Sequence, residues 1–368
     1  MKILFVITRG DLVGGAQIHV RDMSIALKKK GFQPRVLVGS RGDFTAQLSN
    51  SEIEWELIPE LKRNISPIHD IAAITHIRQS IKQFKPDLIS THTAKAGMVG
   101  RIAAILEKYP VIFTAHGWQF ADGIPAKQAL PVLWIERILS RHTARIITVS
   151  EYDHKLALRK KASASEKLIT IHNGLPDTAK HEKRSDKIKS DTAKMVMIAR
   201  FQPQKDHKTL LKALKKIETL DWEMRFVSDG PEMESVRGIA KEKGLSGKVR
   251  FLGQRSDVEE ILKDSDIFVL VSHWEGFPRS IVEAMRESLP VVCTDVGGCG
   301  ESVVHEETGL LVKEGDEEGL ADALKLLLTQ KETALRMGNE GRRRYEENFT
   351  FEIMFEKTVS VYSEVSRR

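Results

Sequence analysis

Apolar and polar positions along this chain fall into blocks. Ile3-Leu-Phe-Val-Ile7 is a short continuous apolar run, and comparable runs recur at Pro34–Val38, Asp87–Ser90, Pro110–Thr114, Arg145–Ser150 and Lys167–Ile171. Short unbroken runs predict strands buried on both faces, as in a parallel sheet. Between them the apolar residues step by three and four. Ile18, Met23, Ile25 and Leu27 predict a helix that Gly31 ends. Ile68, Ile71, Ile74, Ile77, Ile81 and Phe84 predict one buried helix face, flanked by Lys62, Arg63, Arg78, Lys82 and Lys85. Pro131–Leu139 is apolar with basic residues on both sides and reads as a core helix, the alternative being an interfacial one.

The pattern breaks at Asp177–Lys194, which is rich in Lys, Asp and Glu and nearly without apolar residues, and so reads as a linker. A second round begins at Met195–Ile198 and continues through Met224–Val227, Val249–Leu252, Ile267–Val271, Val291–Cys293 and Thr308–Val312, with helical spacing between. The alternation predicts an α/β fold of two Rossmann-like, doubly wound domains, 1–176 and 195–350, facing across a ligand-holding cleft. A last helix, 351–368, reaches back to the first domain.

Composition adds limits. With 368 residues, 41% hydrophobic and 29% charged, the chain suits a two-domain globular protein. Two cysteines, Cys293 and Cys299, argue for a reducing cytosol. The first apolar run is too short for a membrane span and lacks a small-residue cleavage site. Residues 1–173 hold 25 Lys and Arg against 15 Asp and Glu, a surplus of 10, and the remainder holds 32 against 36, a deficit of 4. A basic first half suggests an anionic partner, for which nucleic acid, an anionic membrane surface or a phosphorylated acceptor would fit, the alternative being a solvated basic surface with no partner. Nucleic acid is disfavoured, because aromatics are 6% and do not interleave with basic residues.

The candidate chemistry centres on Glu275-Gly-Phe-Pro-Arg-Ser-Ile-Val-Glu283, between a buried strand and a helix. Amide donors and the helix dipole converge at such a turn and suit a phosphate. Ser280-x-x-Glu283 also fits a capping box, which would make Glu283 structural. Arg200 and Lys205 follow the first strand of the second domain, where fixed positive charge would stabilise a diphosphate leaving group. His116 stands just past a strand end, where open α/β sheets place ligands, and Gly14-Gly15 opens the first helix without a G-x-G-x-x-G or Walker pattern. Asp264-Ser-Asp266 is read as structural, no His or Cys spacing suits a metal, and no serine elbow is present.

In order and spacing these fragments resemble the retaining GT-B glycosyltransferases of family 4, over nearly the whole chain. The resemblance rests on Gly14-Gly15, Thr114-Ala-His116-Gly117, Asn173-Gly174, Arg200 with Lys205, Ser228-Asp-Gly230-Pro231, Gly253-Gln254, Glu275 to Glu283 and Gly297-Gly298. Lys95-Ala-Gly97 and His116-Gly117-Trp118 resemble the bacterial branch that builds capsule, exopolysaccharide and O-antigen. The resemblance implies transfer of a sugar from a nucleotide-diphosphate sugar, a UDP-sugar, to a glycan or polyprenyl-linked acceptor, without a metal or cofactor, at the cytoplasmic membrane face. It implies that Arg200 and Lys205 bind the diphosphate, with Gly15 approaching it from the other domain. Glu275 would hold sugar hydroxyls, Phe277, Arg279 and Ser280 would offer N–H groups, Glu283 would bind the ribose, and Gly230, Gly253, Gln254 and Arg255 would complete the nucleotide site. Gly14, Lys95, His116, Gly117 and Trp118 would take acceptor and sugar, with His116 at the reaction centre. The sequence departs at Ser228, where many relatives carry Gly, and at Cys299, while Pro278 lacks a donor N–H. A GT-B epimerase and a non-catalytic anion-binding protein are the competing readings.

Overall fold

The computed structural model describes residues 1–177 and 192–367, and the chain forms two compact units. Unit 1 comprises Met1–Asn173 and Met354–Arg368, and unit 2 comprises Gly174–Ile353. In unit 1 the order is β1 (Lys2–Ile7), α1 (Gly15–Lys29), β2 (Gln33–Val38), α2 (Asp43–Asn50), β3 (Glu54–Leu57), α3 (Pro67–Phe84), β4 (Leu88–His92), α4 (Ala94–Leu106), β5 (Val111–Ala115), α5 (Ala126–His142), β6 (Arg145–Thr148), α6 (Glu151–Arg159) and β7 (Leu168–Thr170). Its seven strands are all parallel, in the order β3-β2-β1-β4-β5-β6-β7.

Unit 2 runs β8 (Ala193–Ile198), α7 (His207–Lys216), β9 (Trp222–Val227), α8 (Met233–Glu242), β10 (Val249–Phe251), α9 (Val258–Lys263), β11 (Ile267–Leu270), α10 (Arg279–Arg286), β12 (Val291–Thr294), α11 (Cys299–Ser302), β13 (Gly309–Val312), α12 (Glu317–Thr329) and α13 (Lys331–Asn348). Its six parallel strands run β10-β9-β8-β11-β12-β13. The last helix, α14 (Phe351–Ser366), lies mostly within unit 1.

The unbroken apolar runs form the central strands because helices cover both faces of each sheet. β1, β4, β5 and β11 are buried almost throughout. Ser150, Asp206 and Asp316 accept N–H bonds from Asp153, Thr209 and Gly319 at 3.1, 3.0 and 2.8 Å and so start α6, α7 and α12. Both sheets reverse their winding at one point, between β1 and β4 and between β8 and β11. Loops diverge there and leave a crevice at the strand ends.

Four details depart from the sequence reading. Of the six apolar residues read as one buried face of α3, only Ile77, Ile81 and Phe84 are buried, while Ile68 and Ile71 stand exposed near its N-terminus. On α5 Leu133 and Leu139 enter the core while Leu130, Trp134 and Ile138 stand in solvent, so the helix is not simply a core helix. Most of the linker, residues 178–191, lies outside the described residues, and Ala193 and Lys194 already belong to β8. α2 and β3 carried no apolar period long enough to predict them, and β3 is a half-exposed edge strand of four residues.

Candidate active site

In unit 2 the reversal of strand order brings the loop after β8 against the loop after β11. Asp206 N–H donates to Val271 O at 2.9 Å and His273 N–H to Gln204 O at 2.9 Å. This zipper sets Lys205 beside Glu275, seventy residues on, and the two form an ion pair with both side chains largely buried. Ser272 Oγ donates to Glu275 Oε1 at 2.7 Å. Gln204 Nε2 donates to Trp274 O at 2.7 Å and to Glu275 Oε2 at 3.3 Å. Glu275 is thus an oriented, buried carboxylate rather than a surface one. Gly297 explains part of this rigidity: a Cβ there would lie 1.9 Å from the Glu275 carbonyl oxygen, so only glycine fits. The adjacent Gly298 N–H donates to Gly276 O at 2.8 Å. Beneath, Cys293 and Cys299 are buried thiols, and the hydrogen bond from Cys293, with burial, pushes the Cys299 thiol well up.

The helix behind the turn settles one alternative. Pro278 is the N-cap of α10 and no side chain caps it, so Ser280 is already inside the helix and Glu283 sits beyond the third helical position. The capping box therefore fails. The half-buried Glu283 side chain makes no hydrogen bond or ion pair among the described residues. Arg200, exposed at the end of β8, is likewise without an ion pair among them. Ser280 stands in the first turn of α10, where a helix leaves amide donors without intrahelical acceptors. Phe277 is buried against Phe349, with ring centroids 5.3 Å apart, and Arg279 is the first helical residue. Ser228 N–H donates to Gly253 O at 2.8 Å, which joins the loop of Gly230 to that of Gln254. Arg255 is turned to Asp257, Nε to Oδ1 at 2.7 Å.

Asp264 and Asp266 hold the sheet edge together. Asp264 pairs with Lys194 and Arg225, both at 2.8 Å, and Asp266 accepts the Lys194 N–H at 2.8 Å. Among the described residues no cluster of three or more His, Cys, Asp or Glu side chains could hold a metal ion.

In unit 1 the strand ends enclose a cavity of about 340 Å³, lined by Thr8 after β1, Thr93 and Lys95 after β4, His116 and Trp118 after β5, and Val132 and Ile135 of α5. Gly117 lines it too, whereas Gly14 and Gly15, N-cap and first residue of α1, are exposed outside its wall. Three of the four Lys and Arg side chains lining the cavity are already paired, and the exposed Arg63 is the exception among the described residues. Lys95 Nζ lies 2.5 and 2.6 Å from the Asp70 carboxylate oxygens, and Arg101 grips Glu136 bidentately at 2.6 and 2.7 Å while stacked over Phe113. Arg9 is paired with Asp11. Lys95 thus brings no spare charge to a ligand, and the unpaired cation at this wall is Arg63 at its rim. Trp118 is fixed by Nε1 donation to Asp153 O at 2.9 Å and by stacking on Phe120.

Behind His116 lies an array the sequence reading missed. His116 Nε2 is 3.1 Å from His92 Nδ1, His92 Nε2 is 3.1 Å from Ser90 Oγ, and Ser90 Oγ is 2.9 Å from the Tyr362 hydroxyl of α14. His19 stacks edge-on against His116, ring centroids 5.1 Å apart. Burial, then the proximity of His116, holds His92 well below the usual imidazole range, so a neutral imidazole stands behind His116. The signal was present: His92 ends β4 as His116 follows β5.

Comparison with known proteins bears on both units. The family model described as Glycosyltransferase Family 4 matches residues 13–178, and that described as Glycosyl transferases group 1 matches residues 179–344. An Escherichia coli UDP-Gal:alpha-D-GlcNAc-diphosphoundecaprenol alpha-1,3-galactosyltransferase is 29% identical over 88% of this chain and 87% of its own. The capsular polysaccharide biosynthesis glycosyltransferase CapM of Staphylococcus aureus is 27% identical over 92% and 91%. Anabaena Alr3699/HepE, solved with UDP and glucose, has the same fold, with a TM-score of 0.86 at 22% identity over 99% of both chains.

Proposed function

The chain belongs to the family 4 glycosyltransferases of the GT-B fold, and on that premise we propose that it transfers a sugar from a UDP-sugar to a polyprenyl-diphosphate-linked saccharide during synthesis of a bacterial surface polysaccharide. One relative named above, CapM, acts in capsular polysaccharide biosynthesis, and another moves galactose from UDP-Gal to a diphosphoundecaprenol-linked sugar. The observation that carries the reading is the pair of glutamates around the unit 2 turn. Glu275 is locked by Lys205, Ser272 and Gln204, and Glu283 is a half-buried carboxylate released from capping. We assign Glu283 to the ribose hydroxyls and Glu275 to hydroxyls of the transferred sugar. Lys205 has three donors, of which one meets Glu275, and the others, with Arg200, take the diphosphate as negative charge grows on it. His116 faces the acceptor. Transfer proceeds with retention, from the face the leaving group occupies, and needs no metal. Unit 1 works at an anionic membrane surface.

The test is a panel of UDP-sugars with a synthetic polyprenyl-diphosphate N-acetylglucosamine, in the presence of a chelator, with the product anomer read by NMR. An α-linked product is expected. A β-linked product would overturn retention, no product with any donor would overturn the acceptor class, and a glycosyl–enzyme adduct in mass spectra would overturn front-face transfer. An isomerised sugar from donor alone would favour an epimerase.

A further inference from the structure

Of the eight large apolar side chains of unit 1 that stand in water among the described residues, six fall in two stripes. Ile65, Ile68 and Ile71 occupy the entry and first turns of α3, and Leu130, Trp134 and Ile138 recur every four residues along α5, with exposures between 40% and 82%. One residue of the first stripe and the helix that carries the second border one cavity: Ile65 lines it together with Val132 and Ile135 of α5. Each stripe is accompanied by exposed basic residues, Lys62 and Arg63 before α3 and Lys127, Arg137 and Arg141 on α5. Each also contains a single carboxylate, and both are buried and neutralised, Asp70 by Lys95 and Glu136 by Arg101. No exposed acid remains in residues 61–78 or 126–142.

A helix face that repeats apolar side chains, includes a Trp, is flanked by Lys and Arg and shows no acid has the composition of one lying in the headgroup layer of an anionic bilayer. A second copy of this chain would meet the face basic side to basic side if the contact were two-fold, and like charge disfavours that.

We propose that unit 1 docks on an anionic lipid bilayer by inserting Ile65, Ile68, Ile71, Leu130, Trp134 and Ile138 at the acyl boundary, so that the cavity beside His116 meets the headgroups. This names the face and the mode of the membrane contact, and it rests on the proposed function only for why the cavity should meet lipid. Attachment is by apolar insertion aided by charge, not by the net charge of the basic half alone.

The test is flotation of the full chain with mixed phosphatidylcholine–phosphatidylglycerol vesicles, without donor or acceptor. Binding is expected at low salt, with part of it surviving about 0.5 M salt, where exposed charges are screened beyond a few ångströms. Leu130→Ser/Trp134→Ser/Ile138→Ser and Ile65→Ser/Ile68→Ser/Ile71→Ser are each expected to weaken partition about tenfold or more and to remove the salt-resistant part. Lys127→Gln/Arg137→Gln/Arg141→Gln should lower only the low-salt binding. Unchanged thermal unfolding confirms that these exposed positions leave the fold intact. Absence of binding at low salt, binding indifferent to the apolar substitutions, or a dimer in light scattering that the substitutions dissociate would each overturn the proposal. Because no transfer is measured, its failure is separate from failure of the proposed reaction.

Discussion

At the scale of single residues, four positions give sharp expectations. Glu283→Ala should weaken UDP binding about tenfold in calorimetry, while Glu275→Ala should abolish transfer and leave UDP binding within about threefold; equal effects would contradict the division of roles. Ser228 has φ +116°, a conformation that a side chain strains, at the position where glycine was expected from the resemblance. Such strain costs ~1–3 kcal/mol, against ~0.4–1 kcal/mol of added chain freedom when glycine replaces another residue. Ser228→Gly should therefore stabilise unit 2 by ~1 kcal/mol in urea unfolding. His207 is buried and stacked on Phe201 at 4.2 Å, and burial pushes it down to about 4. Since the folded state binds the proton less well than the unfolded chain, its contribution is complete above about pH 6.5 and is lost as pH falls toward 4, ~3 kcal/mol at most. His92 acts in the same direction in unit 1. His207→Phe should flatten the stability-versus-pH slope across that window.

At the scale of elements, α4 and α5 are joined by the buried Arg101–Glu136 pair. Removing one partner strands a buried charge, so Glu136→Leu should destabilise unit 1 by ~3–5 kcal/mol, whereas Arg101→Met/Glu136→Leu should recover most of that loss. If the double variant were as unstable as the single one, packing and not charge would be the cause. The small residues of α4 serve the same contact: a Cβ on Gly97 would lie 2.5 Å from the Phe113 ring over which Arg101 stacks. α10 shows the other use of a helix, with its uncapped first turn after β11 presenting donors and Glu283 following in the next turn.

At the scale of the molecule, unit 1 is completed by the end of the chain. Met354, Phe355, Val361, Tyr362 and Val365 of α14 are buried, Tyr362 reaches Ser90, and Arg145 pairs with Glu364 at 2.5 Å. A chain ending at Ile353 should lose the cooperative unfolding of unit 1 in calorimetry while unit 2 retains its own transition. The two sheets share one strand order about their reversal points, and each reversal gathers candidate site residues distant in sequence.

The alternation of apolar runs and helical steps determined the two-sheet α/β architecture, because parallel strands covered on both faces must be apolar throughout. It also exposed the Glu275–Glu283 turn, since a strand, a Gly-Pro turn and a helix leave a local mark. Pairings were not written there. That Lys205 meets Glu275, that His92 stands behind His116 and that Lys95 is neutralised by Asp70 follow from which strands lie side by side. The capping box fitted the local spacing, yet the helix begins at Arg279 behind Pro278 and removes it. The apolar period on α3 and α5 likewise could not tell core from surface, because periodicity fixes a face and only the neighbouring elements decide whether that face is covered.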